Sequence, residues 1–308
     1  MDAFALLIAA TLNAGTVLAL AGLGLLINER AGIVNLGAEG MMLIAAIAGF
    51  ATAVHTGNDW LAFGAGALAG AALAAAFGWL VIWLNTNQVA SGLALALFGG
   101  GFSAFVGIGF VQARIGERPR FEIPLLGDLP FVGPALFRQH PMVYLTILLA
   151  VAVAWFLYRS RAGLVLRAVG ESPESAHALG VPVRGIRFAA VLAGGALCGL
   201  AGAYLSVIYT PLWVEGMVAG RGWIAVALVV FAQWRPMRAI LGALLFGAAD
   251  ALLPRLQAVG VDVPPYLMAM LPYLVTILVL VAVALSGHGR GRQPAALGLA
   301  YLRQDRRL

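Results

Sequence analysis

Long apolar runs constrain this chain more than any other feature. A transmembrane helix needs about 20 predominantly apolar residues. The predicted spans are 3–27, 33–54, 61–84, 90–110, 141–158, 188–208, 217–234, 239–253 and 266–285. We therefore predict an all-α, polytopic transmembrane helical bundle of about nine spans (eight to ten), in which the short eighth span is partial or tilted.

The composition excludes a soluble protein. It also excludes a standard ATPase site on this chain. Hydrophobic residues make up 62% of the 308 residues and charged residues 10%, whereas soluble domains carry about 25% charged residues. The chain has arginine but no lysine, and a P-loop needs a lysine to hold phosphates. We therefore expect no cofactor on this chain. Cys198 is the only cysteine, which excludes an internal disulfide.

The placement of the arginines predicts an orientation. If segment 159–187 faces the cytoplasm, alternation of the spans puts thirteen arginines inside and five outside, as the positive-inside rule requires. The N-terminus is then outside and the C-terminus cytoplasmic. We expect a transmembrane domain over 1–285 with an external loop at 111–140. A basic cytoplasmic tail over 286–308 should lie against anionic lipid headgroups.

Glycines recur within the predicted third and sixth spans. Small residues let helix backbones approach closely in lipid, where apolar side chains gain little from leaving the solvent. We interpret these glycines as packing positions. They are Gly64, Gly66, Gly70, Gly194, Gly195, Gly199 and Gly202.

A short, sharply delimited helix is predicted within 159–187, at about 173–179. It has an N-cap, a first-position proline, a first-turn acid, a C-terminal glycine and a proline that prevents continuation. These residues are Ser172, Pro173, Glu174, Gly180 and Pro182. An ordinary capped loop helix is one interpretation, and a docking surface for an energy-supplying partner is the other.

Four sequence segments resemble one family of membrane proteins. The segment AVGESPESAHALGVPV (168–183) is similar to the coupling helix of permeases in the branched-chain amino acid, ribose and nucleoside importer superfamily. NERAGIVNLGAEGMMLIAAIAGF (28–50) resembles the interrupted second helix of that family. NTNQVASGLALAL (85–97) and GRGWIAVALVVFAQWRP (220–236) also match. The resemblance covers most of the chain and is greatest to the shorter permease of nucleoside importers served by a basic-membrane-protein-type lipoprotein.

The resemblance implies a multi-pass permease subunit of an ABC importer in the bacterial inner membrane. Its partners would be an ABC ATP-binding subunit that uses the ATP, a second and longer permease, an extracytoplasmic substrate-binding lipoprotein, and membrane lipids. The external loop either receives the lipoprotein or is simply solvated. Residues implied to couple to the ATPase are Glu171, Ser172, Pro173, Glu174, Ser175, Ala176, Leu179 and Gly180.

Polar side chains inside the predicted spans are candidates for the substrate path, because ionisable groups at bilayer depth are costly. Asn35 and Glu39 are four residues apart and would share one helix face. They either line the path or bond a neighbouring helix. Asn13 and Ser91 are further pathway candidates, although Asn13 could instead bond another helix.

Arg221 and Asp250 are predicted to form an ion pair. Each lies about one turn from the outer end of its span, so antiparallel neighbours would place both charges at one depth. Pairing reduces the cost of both charges in the membrane. Glu215 is the rival partner for Arg221.

The leading prediction is a nucleoside permease without enzymatic activity. Branched-chain amino acids or simple sugars are alternative substrates. A secondary transporter would need deep ion-coupling carboxylates, for which only Glu39 qualifies. A membrane-embedded enzyme would need a polar catalytic cluster, and the sequence shows neither that nor histidines at metal-ligand spacing. No basic–aromatic patch suited to nucleic acid is present.

Overall fold

The structure is a computed structural model. It describes residues 2–116, 121–122, 132–258 and 293–301, and isolated positions between 264 and 285.

Ten α-helices form the described part of the chain. They are Asp2–Arg30 (α1), Ala38–Thr56 (α2), Asp59–Gly78 (α3), Gln88–Gly107 (α4), Pro141–Arg159 (α5), Arg161–Glu171 (α6), Pro173–Ala178 (α7), Val183–Tyr204 (α8), Arg221–Phe231 (α9) and Pro236–Ala258 (α10). Single π-helical turns over Trp79–Trp83 and Leu205–Tyr209 extend α3 and α8. Two short strands, Phe121–Glu122 (β1) and Arg138–Gln139 (β2), pair antiparallel.

Six of these helical segments are long and apolar enough to cross a bilayer. They are Phe4–Arg30, Ala38–Thr56, Asp59–Trp83, Gln88–Phe110, Pro141–Arg159 and Val183–Tyr209. They match the first six predicted spans to within a few residues. The described residues therefore do not support a count of nine.

The last three predicted spans differ from the structure or lie outside it. The seventh, 217–234, contains only the 11-residue helix α9, because the chain before Gly220 is irregular. The eighth was expected to be short, but α10 has 23 residues. It is not among the six segments given above. Most of 266–285 lies outside the described residues.

Helix α8 lies in the centre of the bundle and packs against α1, α2 and α3. Its contact with α3 depends on glycine. A side chain at Gly70 would meet the backbone of Gly195 and Gly199, and one at Gly66 would meet Ala203 and Gly199. Close backbone approach of this kind is typical of membrane helices.

The glycine prediction holds for most of these positions but not for Gly64. A side chain at Gly64 would meet nothing within 4 Å, because this residue points away from α8. The two faces of α3 therefore differ: one is a backbone contact, and the other is open to the surroundings of the bundle.

The end of the bundle at α6 and α7, here called the coupling end, gathers several chain segments. The ends of α1 and α5, the start of α8 and the turn between α9 and α10 meet there. A side chain at Gly170 of α6 would collide with the carbonyl of Arg30, and the Tyr158 hydroxyl of α5 lies 3.4 Å from the carbonyl of Trp234.

Residues 293–301 also pack at the coupling end. Ala296 and Tyr301 are buried there, and the backbone of Ala296 bonds the carbonyl of Gly170. This described part of the tail therefore lies against protein, not against lipid headgroups as predicted. The apolar run AALGLAY at 295–301 was a sequence feature that could have indicated this packing.

Candidate functional site

The chain between α1 and α2 leaves the helical conformation over residues 31–37. Side-chain amides supply hydrogen bonds that a helix would otherwise make. Asn35 Oδ1 accepts from the Gly37 N–H at 3.0 Å, and the Val34 N–H donates to Gln88 Oε1 of α4 at 2.8 Å. Irregular backbone at bilayer depth needs such partners. The irregular chain therefore lies before α2, which itself runs unbroken over Ala38–Thr56.

Asn35 and Glu39 do not share a helix face, contrary to the prediction. Helix α2 begins at Ala38, so Asn35 lies in the turn before it. Asn35 is 1% exposed and its amide nitrogen lies 3.5 Å from the sulfur of Met41. The prediction assumed that both residues lie in one helix. It was wrong because an asparagine side chain can accept from the backbone N–H two residues ahead, which competes with helix formation.

Glu39 joins the N-termini of two helices. It lies in the first turn of α2, and its carboxylate reaches the start of α9. Oε1 accepts from the Gly220 N–H at 2.8 Å, and Oε2 accepts from the Gly222 N–H at 2.7 Å. Both helix dipoles stabilise a negative charge at this position. The contact supports the interpretation in which Glu39 bonds a neighbouring helix, and a role in the path stays a prediction.

Helix α9 begins within the bundle rather than at its surface. Its 11 residues rise about 16 Å, roughly half of the ~30 Å hydrocarbon layer. Its C-terminal end is fixed at the coupling end, where Arg30 Nη2 donates to the Trp234 carbonyl at 2.9 Å. The N-terminus of α9, and with it Glu39, therefore lies about 16 Å along the helix from the coupling end.

Arg221 and Asp250 lie next to this junction. Arg221 Nη2 is 2.9 Å from Asp250 Oδ2, and the two side chains are 19% and 21% exposed. The Arg221 guanidinium carbon also lies 5.8 Å from the ring centroid of Tyr209. Arg221 thus pairs with Asp250, and not with the rival Glu215. Three charged side chains, including Glu39, meet around the start of α9.

The other two pathway candidates lie apart from this junction. Asn13 Oδ1 accepts from the Tyr204 hydroxyl at 2.7 Å, and Asn13 Nδ2 donates to Gln139 Oε1 at 2.8 Å. Ser91 Oγ is 2.8 Å from Thr86 Oγ1 before α4. Asn13 therefore joins α1 to α8 and β2, and Ser91 helps to order the start of α4.

The short helix α7 has the predicted caps. Ser172 Oγ accepts from the Ser175 N–H at 3.3 Å, and Gly180 has a φ of +82°, a left-handed conformation that glycine adopts without strain. Pro173 is buried. Leu179, just after the helix, is 85% exposed.

The coupling candidates divide by exposure. Those facing the bundle are Pro173 and Ala176, and Ser172 is half-buried. Those facing away are Glu171, Glu174, Ser175, Leu179 and Gly180. Leu179 is therefore an exposed apolar side chain at the coupling end.

Sequence reasoning missed a polar contact at the end of α1. Glu29 is 3% exposed, and its Oε2 accepts from the Trp234 indole N–H at 2.6 Å. Gln233 and Trp234 both have positive φ values, so the α9–α10 turn is tightly constrained. The sequence feature that could have predicted this contact is Glu29 beside Arg30 at the end of an apolar run.

Catalytic and metal-binding arrangements are not seen in the described residues. No group of three or more histidine, cysteine, aspartate or glutamate side chains there could hold a metal ion.

A family model decides the class of protein. Residues 7–280 match the family described as "Branched-chain amino acid transport system / permease component". The chain belongs to this family of ABC transporter permeases. Together with the six apolar helices, this makes it a multi-pass membrane protein. No solved structure matches the chain significantly.

Relatives cover nearly the whole permease. A putative glucose ABC transporter permease of Haloferax volcanii is 49% identical over 97% of this chain and 98% of its own length. A guanosine ABC transporter permease of Bacillus subtilis is 33% identical, covering 98% of each chain. A nucleoside ABC transporter permease of Lactococcus lactis is 32% identical, covering 97% of each.

Proposed function

We propose that this permease forms the substrate path of an ATP-driven importer for a neutral, hydroxylated ring solute, with nucleosides as the first candidate. The carrying observation is the pairing of two features in one chain: a capped helix with an exposed tip at the coupling end, and a charged junction where α2 and α9 begin. The capped helix suits docking of a partner that supplies energy, and the charged junction suits a substrate path.

Energy would enter through α6 and α7. The exposed Glu174, Ser175 and Leu179 would contact a separate ABC ATPase, which supplies the nucleotide chemistry. The buried Pro173 and Ala176 would fix α7 to the bundle. This division into a buried and an exposed face would explain why so short a helix is capped at both ends. Because the separate ATPase would hydrolyse the ATP, this chain would catalyse no reaction.

The path would pass the junction of α2 and α9. Discontinuous helices with their N-termini near the midplane are the usual way in which transporters present polar groups at bilayer depth. Glu39, Arg221 and Asp250 lie at this junction, and their charges are balanced by one another and by helix dipoles. The junction therefore offers hydrogen bonds to hydroxyl groups without a large net charge, which suits a neutral solute.

The substrate rests on similarity to relatives. The guanosine and nucleoside permeases favour a nucleoside, whereas the more similar Haloferax volcanii protein is named for glucose. Both solutes carry several hydroxyl groups on a ring. Glucose is therefore the second candidate, and branched-chain amino acids, which lack that chemistry, are less favoured.

The remaining parts of the proposal concern orientation and assembly. We place the coupling end in the cytoplasm, where most arginines then lie, and the N-terminus outside. Three further spans would complete a bundle of nine. A second, longer permease would complete the path, and an extracytoplasmic lipoprotein would deliver the solute to the loop at 111–140.

Uptake in a deletion strain tests the function. Labelled guanosine and labelled glucose are supplied to the wild type, to the deletion strain, and to a strain whose companion ATPase carries a substitution of its P-loop lysine. We expect deletion and ATPase inactivation each to abolish guanosine uptake. Loss of glucose uptake alone would select the second candidate. Uptake that survives ATPase inactivation would contradict the importer and favour a secondary transporter.

A further inference from the structure

The segment 293–301 is bound to α6 by its backbone. The Ala296 N–H donates to the Gly170 carbonyl at 3.0 Å, and the Ala295 N–H donates to Glu171 Oε2 at 3.1 Å. Gly170 is the residue through which α6 touches the end of α1. The segment therefore covers the contact between the coupling loop and the first transmembrane helix.

The same segment is bound to the break between α1 and α2. The Gly298 N–H donates to the Gly32 carbonyl at 3.1 Å. Both glycines have positive φ values, +78° and +87°, so each is in a conformation that other residues adopt only with strain. A well-defined backbone bond thus joins residues 293–301 to the irregular chain that leads to Asn35 and Glu39.

Arg187 at the start of α8 fixes the segment from a third side. Its side chain is 2% exposed, and Nη1 donates to the Leu299 carbonyl at 3.1 Å. Nη2 lies against Gly32. A buried guanidinium is costly unless its donors find partners. Arg187 therefore gains from the segment's carbonyl, and it touches both the segment and the break between α1 and α2.

Tyr301 anchors the end of the segment under the coupling helix. It is 7% exposed and forms a small apolar cluster with Val169 of α6, Ala176 of α7 and Val183 of α8. Ala176 is one of the residues that fix α7 to the bundle. The inward face of α7 therefore rests partly on Tyr301.

We propose that residues 293–301, here called the strap, carry displacement of α6 and α7 to the break between α1 and α2, with Arg187 and Tyr301 as positioning residues. Backbone hydrogen bonds join the strap to α6 and to Gly32, and the buried ring of Tyr301 joins it to α7. Energetic coupling runs through such contiguous packed and hydrogen-bonded groups. A movement of α7 would shift the strap, and the strap would shift Gly32 and the chain that continues to Glu39.

This inference rests on the proposed role of α6 and α7 in receiving the ATPase. Since α6 also touches Arg30 directly, loss of the strap should weaken coupling without preventing assembly. The consequence to measure is the number of solute molecules moved per ATP hydrolysed. A segment that only stabilised the fold would lower transport and hydrolysis together and leave that ratio unchanged.

The test uses the whole transporter, with its ATPase and second permease, in proteoliposomes. One variant ends after residue 292, and its control ends after residue 301 and keeps the strap. Tyr301→Ala removes the anchoring ring, and Tyr301→Phe keeps it. We expect the chain that ends after residue 292 and Tyr301→Ala to bind the ATPase and to hydrolyse ATP. Each should move about tenfold less solute per ATP than the wild type. The two controls should match the wild type.

One result would overturn the strap: an unchanged ratio of solute to ATP in the chain that ends after residue 292 and in Tyr301→Ala. That ratio stays unchanged both when neither rate falls and when transport and hydrolysis fall in proportion. Tyr301→Ala keeps the inference testable if the shortened chain does not fold, which size-exclusion chromatography would reveal.

Leu179→Asp separates the strap from the docking role of α7. It places a charge on the exposed tip and should prevent association with the ATPase. If this variant binds the ATPase and transports normally, docking at α7 is wrong whatever the strap does. If it loses the ATPase while the strap variants keep their ratio, only the strap is wrong.

Discussion

At the scale of single residues, the carboxylate of Glu39 shows how this permease holds a charge between the starts of two helices. Each oxygen accepts one N–H from the start of α9, and hydrogen bonds to charged groups contribute about 1.5–3 kcal/mol. The carboxylate also replaces the side-chain cap that Gly220 cannot supply. One acid therefore makes a discontinuous helix stable inside the bundle.

The pair formed by Arg221 and Asp250 leads to a prediction at this scale. Arg221→Asp and Asp250→Arg should each lower expression and melting temperature, because each puts two like charges together. Breaking a buried pair costs about 3–5 kcal/mol, and we expect about 1–3 kcal/mol here because both side chains are about one-fifth exposed. Thermal denaturation in detergent measures the loss.

The double reversal is the informative control for that pair. Arg221→Asp combined with Asp250→Arg restores opposite charges at these two positions and should recover most of the melting temperature. A double variant no more stable than either single variant would show that the contact contributes no specific stability.

At the scale of elements, the contact between α3 and α8 is set by glycines on one face of each helix. The sequence indicated a small-residue contact but could not identify the face, since Gly64 and Gly66 are equally small. Only the orientation of α3 in the bundle places Gly66 and Gly70 against α8 and turns Gly64 away. The element was predictable, and its rotation about its own axis was not.

Leucine substitutions test this contact. Gly70→Leu should prevent α3 and α8 from approaching, because its side chain would enter the backbone of Gly195 and Gly199. Overpacking costs about 1–3 kcal/mol or more. Gly64→Leu adds the same side chain at an open position of the same helix and should leave the melting temperature close to that of the wild type. Equal losses in both variants would contradict the assigned face.

Helices α7 and α2 were predicted with different success for a physical reason. Helix α7 is delimited by local signals, since Ser172, Pro173 and Gly180 act within one turn of their positions, and its predicted range differs from the observed one by a single residue. The start of α2 depends on Gln88 of α4, which accepts from Val34. No local pattern shows that contact, so the predicted span began too early.

At the scale of the whole molecule, the chain is a multi-pass membrane protein whose core is a few glycine-rich helices around α8. The helices with the most exposed apolar surface are on its periphery: Leu97 and Phe105 of α4 are 79% and 75% exposed. Lipid or a second permease would cover such a surface. The coupling end, in contrast, is held by polar contacts such as those of Glu29 and Arg30 with Trp234.

Cysteine labelling tests the proposed orientation. In a Cys198→Ala background, Thr56→Cys lies at the end of α2 and Gly185→Cys in the first turn of α8, both exposed. We expect a membrane-impermeant thiol reagent added to intact cells to label Thr56→Cys only. Gly185→Cys should react after the membrane is permeabilised. The reverse pattern would invert the orientation.

The sequence by itself determined that this permease lies in lipid, and it determined the local structure of the chain. Apolar runs require lipid, and the caps of α7 act through neighbouring residues. Tertiary structure alone decided which polar groups meet: Glu39 with the start of α9, Arg187 with Leu299, and Tyr301 with Ala176. These pairs are separated by more than 100 residues, so no pattern of local period can encode them, and only packing brings them into contact.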